Sequence, residues 1–352
     1  MLLKRSTTVK YFAAAILGAA IYCEWFVYLM QPLYWAKLQC SADDKSCTKI
    51  LFIADPQIQG ELEFPPPLSY LFYWDSDRYL RSTFLVAMDH FKPDILVYMG
   101  DLMDEGSVSS IAQFHGYVKR LSSIFEVNYP VTQVWLPGDN DIGGENEPIK
   151  RDKVVEFEKV FEQPPVISHR NITFFKVNGI THSYPQKDEG INHNGNYRIV
   201  VSHYPITNKY VFGSQVNKEI RPDIYFCAHE HESKYVRQSN DLTKREIVLL
   251  TDTTTLNISS GDKLYEIYVP TCSYRMGTSK IGFGAALLEN NNKNLRYTVF
   301  WSPQRFPYLF FYLLVLIIFV MYCLVYCVAR LLHRKTKSTV RSTDRVPLLE
   351  RI

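Results

Sequence analysis

The sequence lacks a strong net charge of either sign, and it contains no internal repeat and no low-complexity tract. Its 352 residues carry a formal net charge of only +3. Surfaces that follow the phosphates of nucleic acids are strongly basic, so this weak charge argues against a nucleic-acid partner. With 47% hydrophobic residues, the chain can bury one substantial core and still have apolar segments for a membrane.

Charged residues are also scarce in two long apolar stretches. None occurs between Pro307 and Ala329, and the stretch from Tyr11 to Tyr34 is interrupted only by Glu24. Each stretch is long enough to cross about 30 Å of hydrocarbon and therefore predicts a transmembrane helix. The first lacks the short apolar region and small-residue cleavage site of a secretory signal, which favours an uncleaved signal anchor over a cleaved signal peptide. We expect Glu24 to face the other span or a polar headgroup.

Basic residues flank the outer end of both stretches, which predicts that the two tails are cytosolic and the domain between them is lumenal or extracellular. Tyr34 and Trp35 suit the aromatic belt at the membrane surface. The predicted organisation is a cytosolic segment 1–10, a signal anchor 11–34, a lumenal domain 35–306, a transmembrane helix 307–329 and a cytosolic tail 330–352.

Two further features are compatible with an oxidising, lumenal compartment. Asn171 and Asn257 each begin a glycosylation sequon. Cys40 and Cys47 lie close together just after the first apolar stretch and are candidates for a disulfide that closes a small loop.

In the first half of the central domain, apolar runs of strand length alternate with helical runs, and the second half is mainly β. A β-rich half against an α/β half implies two packed sheets with helices outside, a fold of the α+β or α/β class. Segment 60–70, with three consecutive prolines, predicts a loop at the rim. The aromatic residues that follow are predicted to be core, with lipid or glycan contact as the alternative; they are Tyr70, Phe72, Tyr73 and Trp74. The predicted helices are Asp77–Phe91, Ser109–Phe125 and Arg151–Phe161, and the predicted strands are Ile50–Ala54, Ile95–Met99, Val131–Leu136, Ile172–Val177, Arg198–Val201, Ile224–Cys227, Glu246–Thr251, Leu264–Val269, Phe283–Leu288 and Leu295–Trp301.

Short polar segments follow five of these strands. Carboxylate and amide oxygens with neutral imidazoles suit hard and borderline divalent cations, and strand ends are where α/β proteins build sites. A single aspartate at such a position is usually a turn or cap residue, but five segments in this order indicate a binuclear metal centre. The segments are Asp55-Pro56-Gln57, Gly100-Asp101-Leu102-Met103-Asp104, Gly138-Asp139-Asn140-Asp141, Ser202-His203-Tyr204 and Ala228-His229-Glu230-His231.

In order and residue type, these segments resemble the motifs of the calcineurin-like metallophosphoesterase superfamily, over a region from about Lys49 to about Trp301. Within it, the Ala-Asp-Pro-Gln-Ile and Gly-Asp-Leu-Met-Asp-Glu-Gly segments look like those of the metallophosphoesterase 1 group. That group includes enzymes that trim ethanolamine phosphate from glycosylphosphatidylinositol (GPI) anchors. The resemblance implies a four-layer αββα sandwich, here flanked by two transmembrane helices, and a phosphoric diester hydrolase with two divalent metal ions.

The resemblance also implies roles for individual residues. By motif position, Asp101 bridges both ions. Mixed oxygen and imidazole ligands favour Mn²⁺, Fe²⁺ or Zn²⁺ over an ion that binds only oxygen, and Mn²⁺ is the expected metal, with Fe²⁺ or Zn²⁺ as alternatives. Asp104 is expected to orient ligands rather than bind metal. The remaining predicted ligands are Asp55, Gln57 and His231 for the first ion, and Asp139, His203 and His229 for the second.

Three positions depart from the family pattern. Gln57 and Asn140 stand where histidines are usual, and Asp139 replaces an asparagine. An amide oxygen at position 57 predicts a looser, more Mn²⁺-like first ion. Asn140 occupies the position that helps the leaving oxygen, yet an amide can donate a hydrogen bond but no proton near pH 7. Candidates for the missing acid are Asp141, His182 and His193.

The resemblance implies as substrate the ethanolamine phosphate on a mannose of a GPI glycolipid or GPI-anchored protein. It also implies work between the endoplasmic reticulum and the Golgi, in support of the transport of GPI-anchored proteins. Two alternatives stay open: a metal-containing receptor for GPI-anchored cargo with weakened chemistry, and a phosphodiesterase for another lipid or a nucleotide. The tail carries Asp344 four residues before Leu348-Leu349, the spacing that clathrin adaptors bind, so cycling through endosomes and lysosomes is an alternative localisation.

Overall fold

The structure is a computed structural model of the chain and describes residues 5–41, 44, 46–62, 66–186, 196–250, 252–258, 263–289 and 294–343. The chain divides into two compact units: residues 28–304, and the terminal segments 1–27 and 305–352 together. The larger unit contains two sheets. The smaller unit is helical.

The first sheet has six strands in the order β10-β13-β12-β1-β2-β3, and the second has seven in the order β4-β5-β6-β7-β11-β8-β9. Strands β1, β2 and β3 run parallel to one another, as do β5, β6 and β7. The strands are β1 (Thr48–Ile53), β2 (Ile95–Tyr98), β3 (Thr132–Trp135), β4 (Val166–His169), β5 (Ile172–Lys176), β6 (Tyr197–Val201), β7 (Ile224–Cys227), β8 (Lys234–Gln238), β9 (Arg245–Leu249), β10 (Thr254–Asn257), β11 (Leu264–Tyr268), β12 (Gly282–Glu289) and β13 (Asn294–Trp301).

The two sheets pack face to face through a fully buried apolar layer, in which Phe52 of β1 stacks on Phe226 of β7 with ring centroids 4.2 Å apart. The outer face of the first sheet is covered by α3, α4 and α6, and that of the second by α7. This arrangement confirms the predicted αββα sandwich. The helices of this unit are α3 (Leu68–Phe91), α4 (Ile111–Ile124), the short α5 (Asp139–Ile142), α6 (Arg151–Val160) and α7 (Tyr210–Ile220).

Two predictions about aromatic residues are wrong. Helix α3 begins at Leu68, nine residues before the predicted start. Of the four aromatic residues predicted to be core, Tyr70, Phe72 and Trp74 keep 64%, 39% and 59% of their surface exposed, and Tyr73 is half-buried. Conversely, Trp35 is buried in the domain rather than lying in an aromatic belt. Its indole Nε1 donates to the Trp301 carbonyl (2.8 Å), and its ring stacks on Phe300. An indole whose N–H finds a partner can be buried, and sequence spacing does not reveal that partner.

The smaller unit is formed by α1 (Arg5–Ile21), which continues as helix towards the short α2 (Val27–Met30), and by α8 (Phe306–Thr343). Helices Val9–Leu33 and Phe306–Leu332 are long and apolar enough to cross a membrane. Within this unit, the Glu24 carboxylate accepts hydrogen bonds from Arg305 Nη2 (3.0 Å) and Tyr312 OH (2.7 Å). The one acidic residue of the first apolar stretch is thus held by polar partners beside and on the second.

Candidate metal centre

The predicted metal-binding segments lie at the carboxyl ends of parallel strands in both sheets. The Asp55, Asp101 and Asp139 segments follow β1, β2 and β3, while the His203 and His229 segments follow β6 and β7. Parallel strands bring their carboxyl ends to one edge of a sheet. Because the two sheets pack face to face, these edges meet, and backbone bonds tie the loops together: Asp55 N donates to Gly100 O (3.3 Å) and Gln57 N to Asp101 O (2.9 Å).

Five of the seven predicted ligands have a left-handed backbone. Their φ angles lie between 41° and 67°, a region that non-glycine residues rarely adopt. Such residues turn the chain sharply as it leaves the strand, and backbone conformations of this kind cluster at functional sites. The five are Asp55, Gln57, Asp101, His229 and His231.

The glycines that precede two of the aspartates are required by close packing. A Cβ on Gly138 would lie 2.1 Å from Asp101 Oδ1, and one on Gly100 would lie 2.8 Å from Gly138 N and from His203 Nδ1. No side chain fits at either position. The two Gly-Asp pairs therefore allow the Asp101 carboxylate to approach the Asp139 loop, where Asn140 N donates to Asp101 Oδ1 (2.9 Å).

One group of potential ligands is formed by Asp139, His203 and His229. Asp139 Oδ1 lies 3.0 Å from His203 Nε2 and 3.3 Å from His229 Nδ1. His203 Nδ1 is 2.9 Å from the Met99 carbonyl. Its N–H is then used there, which leaves Nε2 with its lone pair facing the site. These three are the residues predicted for the second ion.

A second group is formed by Asp55 and Asp101 with His203. Because His203 Nδ1 is bonded to Met99, we assign its ligand atom to the first group and look to His231, whose Nε2 is 3.7 Å from Asp55 Oδ1, for the imidazole here. Gln57 Nε2 lies 3.0 Å from Asp101 Oδ2 and 3.4 Å from His231 Nε2. The Gln57 side chain is therefore at the site, and rotation of its amide by 180° would present the oxygen that a cation needs.

The buried carboxylates of the site need positive charge beside them. Asp55 is 0% exposed, and neither of its carboxylate oxygens has a hydrogen-bond donor among the residues that the structure describes. Burial raises the pKa of Asp55 despite the nearby histidines, and burial likewise raises the pKa of Asp101 well above its usual range. A buried carboxylate without a donor is costly unless a cation is bound, so the residues present fit a divalent metal site.

At His203 and Asp139, attraction between the imidazoles and the carboxylates outweighs the effect of burial on the pKa. Burial opposes the charge on His203, but Asp101, Asp139 and Asp55 together raise its pKa to about 10. Burial would also raise the pKa of Asp139, but hydrogen bonds and charge from His203 and His229 bring it below the usual aspartate range. Without metal, a proton on His203 offsets part of the carboxylate charge; a bound cation would displace it.

The candidates for the missing acid are placed as follows. Asp141 is fully buried and accepts hydrogen bonds from three backbone N–H groups, those of Leu102 (3.1 Å), Met103 (3.0 Å) and Gly138 (2.8 Å). This position favours clamping of the ligand loops over proton donation. His182 packs edge-to-face on Phe212, and His193 lies outside the described residues.

Asn140 contacts the predicted bridging residue directly, because its Nδ2 donates to Asp101 Oδ2 (3.1 Å). Asp104 forms an ion pair with Arg275 Nη2 (2.7 Å), and Arg275 Nη1 donates to the Gln57 carbonyl (2.8 Å). Asp104 thus acts on the Gln57 loop through an arginine, in keeping with the orienting role expected for it.

Sequence reasoning missed the residues that support the site from outside the five segments. Arg275 is one; another is Thr271, whose Oγ1 donates to the Asp55 carbonyl (2.8 Å). Within the segments, no role was predicted for Tyr204, whose ring packs on the His229 imidazole with centroids 4.3 Å apart. Tyr204 could have been found as the neighbour of His203, but nothing in the spacing of Thr271 and Arg275 pointed to a site.

The structure also describes the predicted disulfide and the two asparagines of the predicted glycosylation sites. Cys40 and Cys47 form a disulfide with Cα atoms 5.8 Å apart. Asn257 is exposed, whereas Asn171 is half-buried where β4 turns into β5. The predicted sorting signal, formed by Asp344, Leu348 and Leu349, lies outside the described residues.

The two sheets meet at a cluster of carboxylates and imidazoles that could hold divalent metal ions. Residues 48–233 match the family of calcineurin-like phosphoesterases, and the chain belongs to this family. Among curated proteins it is similar to those named Metallophosphoesterase 1. The protein of Ailuropoda melanoleuca is 27% identical over 184 residues, which is 51% of this chain and 46% of that protein. That of Gallus gallus is 30% identical over 177 residues (46% and 42%), and that of Danio rerio is 23% identical over 226 residues (54% and 58%).

The chain spans about half the length of the curated relatives it matches. Among solved structures, a metallophosphoesterase from Sphaerobacter thermophilus is 15% identical with a TM-score of 0.36; the match covers 74% of this chain and 90% of that one.

Proposed function

We propose that this protein is a membrane-anchored phosphodiesterase that removes ethanolamine phosphate from a mannose of GPI anchors. It would use two divalent metal ions, with Mn²⁺ as the preferred metal. In this role it would support the transport of GPI-anchored proteins from the endoplasmic reticulum to the Golgi. Membership of the calcineurin-like phosphoesterases supports the reaction class. The substrate rests on the similarity of the Asp55 and Asp101 segments to the metallophosphoesterase 1 group.

The observation that carries the metal-dependent reaction is the buried Asp55 carboxylate without a hydrogen-bond donor, beside Asp101 and within reach of His231. Bound divalent ions would lower the pKa of water and stabilise negative charge on the phosphoryl group. The chain's own part is to hold the ligands in place through the Met99, Thr271 and Arg275 contacts.

Asn140 supports a second candidate, a receptor for GPI-anchored cargo with weakened chemistry. Its amide can donate a hydrogen bond to a leaving oxygen but not a proton, and general acid catalysis contributes about 10²–10⁴ in rate. Turnover of bis-p-nitrophenyl phosphate in the presence of Mn²⁺ separates the two, because nitrophenolate leaves without a proton. We expect turnover that Asp101→Asn abolishes and that a surface control, Asp152→Asn, retains. No turnover by the wild type would favour the receptor.

Mass analysis of GPI glycans from cells that lack the protein tests the substrate. We expect glycans that retain an extra ethanolamine phosphate, and restoration of the normal mass by the wild type but not by Asp101→Asn. Normal glycans in the deficient cells, with diester turnover intact in vitro, would point to another lipid or a nucleotide substrate.

We place the protein in membranes of the endoplasmic reticulum, the intermediate compartment and the Golgi, with the domain 35–306 in the lumen. Protease added to sealed microsomes should then remove the tail after Arg330 and spare the domain. Endoglycosidase should reduce the mass of the wild type, through Asn257 or Asn171. A protected tail would reverse this orientation. Movement of a tagged copy towards the plasma membrane after Leu348→Ala and Leu349→Ala would support cycling through endosomes and a clathrin adaptor as partner; an unchanged distribution would remove that alternative.

A further inference from the structure

The first turns of α3 carry an exposed apolar surface that the proposed chemistry does not use. Between 39% and 64% of each side chain is exposed, although all five are large and apolar or aromatic. Single exposed apolar residues are ordinary, whereas a contiguous group marks an interaction surface. We call this group the α3 aromatic face; it consists of Leu68, Tyr70, Leu71, Phe72 and Trp74.

The composition of this face suits the surface of a bilayer. Tryptophan and tyrosine prefer the interfacial layer, where an apolar ring and a polar edge are both accommodated. A basic residue follows one helical turn further along: the Arg78 guanidinium lies over the Trp74 ring at 4.8 Å and pairs with Asp75 Oδ1 through Nη2 (3.3 Å). Arginine stems can bury their carbons while the charge reaches headgroup phosphates.

Helix α3 also contacts the two parts of the domain from which the chain continues into the apolar helices. Tyr79 OH donates to the Pro303 carbonyl (2.8 Å), three residues before Phe306–Leu332 begins, and the Tyr79 ring lies 6.1 Å from that of Tyr28, which belongs to the apolar stretch Val9–Leu33. With a rise of 1.5 Å per residue, Tyr70 is only about 14 Å along the helix axis from Tyr79.

The end of the first apolar stretch also contacts α3. The turn Gln31–Leu33 packs against α3, and Leu33 and Tyr34 beside it are 71% and 79% exposed. Trp35, the next residue, packs on His90 near the other end of α3 (ring centroids 5.3 Å apart). Exposed apolar residues therefore lie at both ends of the helix, and we take a lipid surface that runs along it as the occupant of the face.

A short chain of contacts links the face to the metal centre. Asp75, next to Trp74, accepts a hydrogen bond from Tyr274 OH (2.8 Å), and the following residue, Arg275, holds the Gln57 carbonyl and Asp104. In addition, α3 follows β1 directly, so its first turns lie towards the carboxyl end of that strand, where Asp55 is located.

We propose that the α3 aromatic face rests in the bilayer interface and fixes the height and orientation of the metal centre over a substrate that resides in the membrane. The proposal rests on the membrane anchoring described under the proposed function. It would explain why a catalytic domain already tethered by two helices also exposes Tyr70, Leu71 and Trp74.

Tryptophan quenching tests the contact in the full chain, reconstituted in phosphatidylcholine nanodiscs with or without brominated phosphatidylcholine. We expect Trp74→Phe to remove a part of the lipid-quenchable emission. Trp135→Phe is the matched control, because Trp135 stacks between Tyr98 and Phe161 (centroids 3.5 Å and 4.8 Å) inside the domain; it should leave the quenchable part unchanged. Trp25, within the first apolar helix, reports anchoring itself.

The outcomes are distinguishable. If Trp25→Phe lowers the quenchable emission and Trp74→Phe does not, the proteins are anchored and the face does not touch lipid; the proposal is then wrong and a protein partner becomes the occupant. If neither change matters, both the anchoring and the proposal fail. A second measurement uses Leu71→Ser with Trp74→Ser: turnover of a membrane-resident GPI substrate should fall several-fold while that of bis-p-nitrophenyl phosphate stays the same. Val155→Ser, an exposed apolar position on α6, should change neither.

Discussion

Replacement of Asp55 by asparagine tests whether this buried carboxylate exists to hold a cation. In a chelator, the wild type keeps a charged group at 0% exposure without a hydrogen-bond donor among the described residues. Leaving a buried polar group unpaired costs about 1–3 kcal/mol, and more if it is charged. Asparagine removes the charge at nearly constant shape. We therefore expect metal-free Asp55→Asn to be more stable than the metal-free wild type.

The raised pKa of Asp55 also predicts how the stability of the metal-free protein changes with pH. Burial raises the pKa of Asp55 in the folded protein, so the folded state holds this proton more tightly than the unfolded state does. The stability of the metal-free wild type should fall as pH rises from the usual aspartate pKa through the raised one. Asp55→Asn should lack that part of the fall, and the gap between the two proteins should therefore widen towards neutral pH.

The magnitude can be measured by thermal unfolding of the full chain in nanodiscs. For a domain of this size, 1 kcal/mol shifts Tm by about 2–4 °C, so Tm in chelator should rise by about 2–12 °C. Each ion at about 100 times its Kd adds about 2.7 kcal/mol to the wild type, and the variant, which lacks a ligand, gains less. We expect Mn²⁺ to reverse the order of the two Tm values.

Asp141→Asn is the matched control, because this buried aspartate accepts three backbone N–H groups and would be left with a mismatched amide. It should lower Tm with and without metal. A Tm of Asp55→Asn below that of the wild type in chelator, by as much as in Mn²⁺, would show that Asp55 stabilises the fold directly and would refute the assignment.

Three further predictions concern the same centre. His229→Ala and His231→Ala should each lose close to one metal ion per chain by elemental analysis, because we assign them to different ions; full occupancy in both would make this segment structural. Asn140→His should raise turnover of diesters with alkoxide leaving groups and leave nitrophenyl diesters unchanged, since only the former need a proton; equal turnover on both would mean that another group already donates. Because the carboxylates raise the pKa of His203 to about 10 despite its burial, Mn²⁺ must displace its proton, and titration by calorimetry should show affinity rising about tenfold per pH unit near neutrality; an affinity independent of pH would contradict this.

The parallel strands and their ligand loops were predictable because two kinds of signal coincide there. Strands such as Ile95–Tyr98 are buried on both faces and therefore read as continuous apolar runs. Each is followed closely by one of the five aspartate or histidine segments, so the order of the motifs predicted the position of the site as well as the fold. The structure brings all seven predicted ligands to one region for this reason.

Other parts could not be read from the sequence because their stability comes from tertiary contacts. Strand β8 is only partly buried and is not predicted from the sequence. Strand β9, predicted as Glu246–Thr251, is mostly exposed and is held by its pairing with β8. The aromatic start of α3 is predicted to be core because apolar residues are usually buried, but its exposure depends on which other elements cover it. Arg275 acts on Gln57 from 218 positions away in the chain, a separation that no local pattern encodes.

Five of the predicted ligands have a left-handed backbone. Selection for folding and selection for activity should therefore favour different residues at these positions. At Asp55, Asp101 or His229, glycine would remove the metal ligand while relieving the backbone, whereas alanine would remove the ligand and keep the unfavourable φ. A library sorted only for folded protein should therefore enrich glycine over alanine at these positions, and one sorted for turnover should exclude both. Ordinary buried aspartates, such as Asp141 with its helical backbone, should show no preference for glycine. The backbone conformation therefore predicts a pattern of tolerated substitutions in the metal loops, and this pattern can be measured without a substrate.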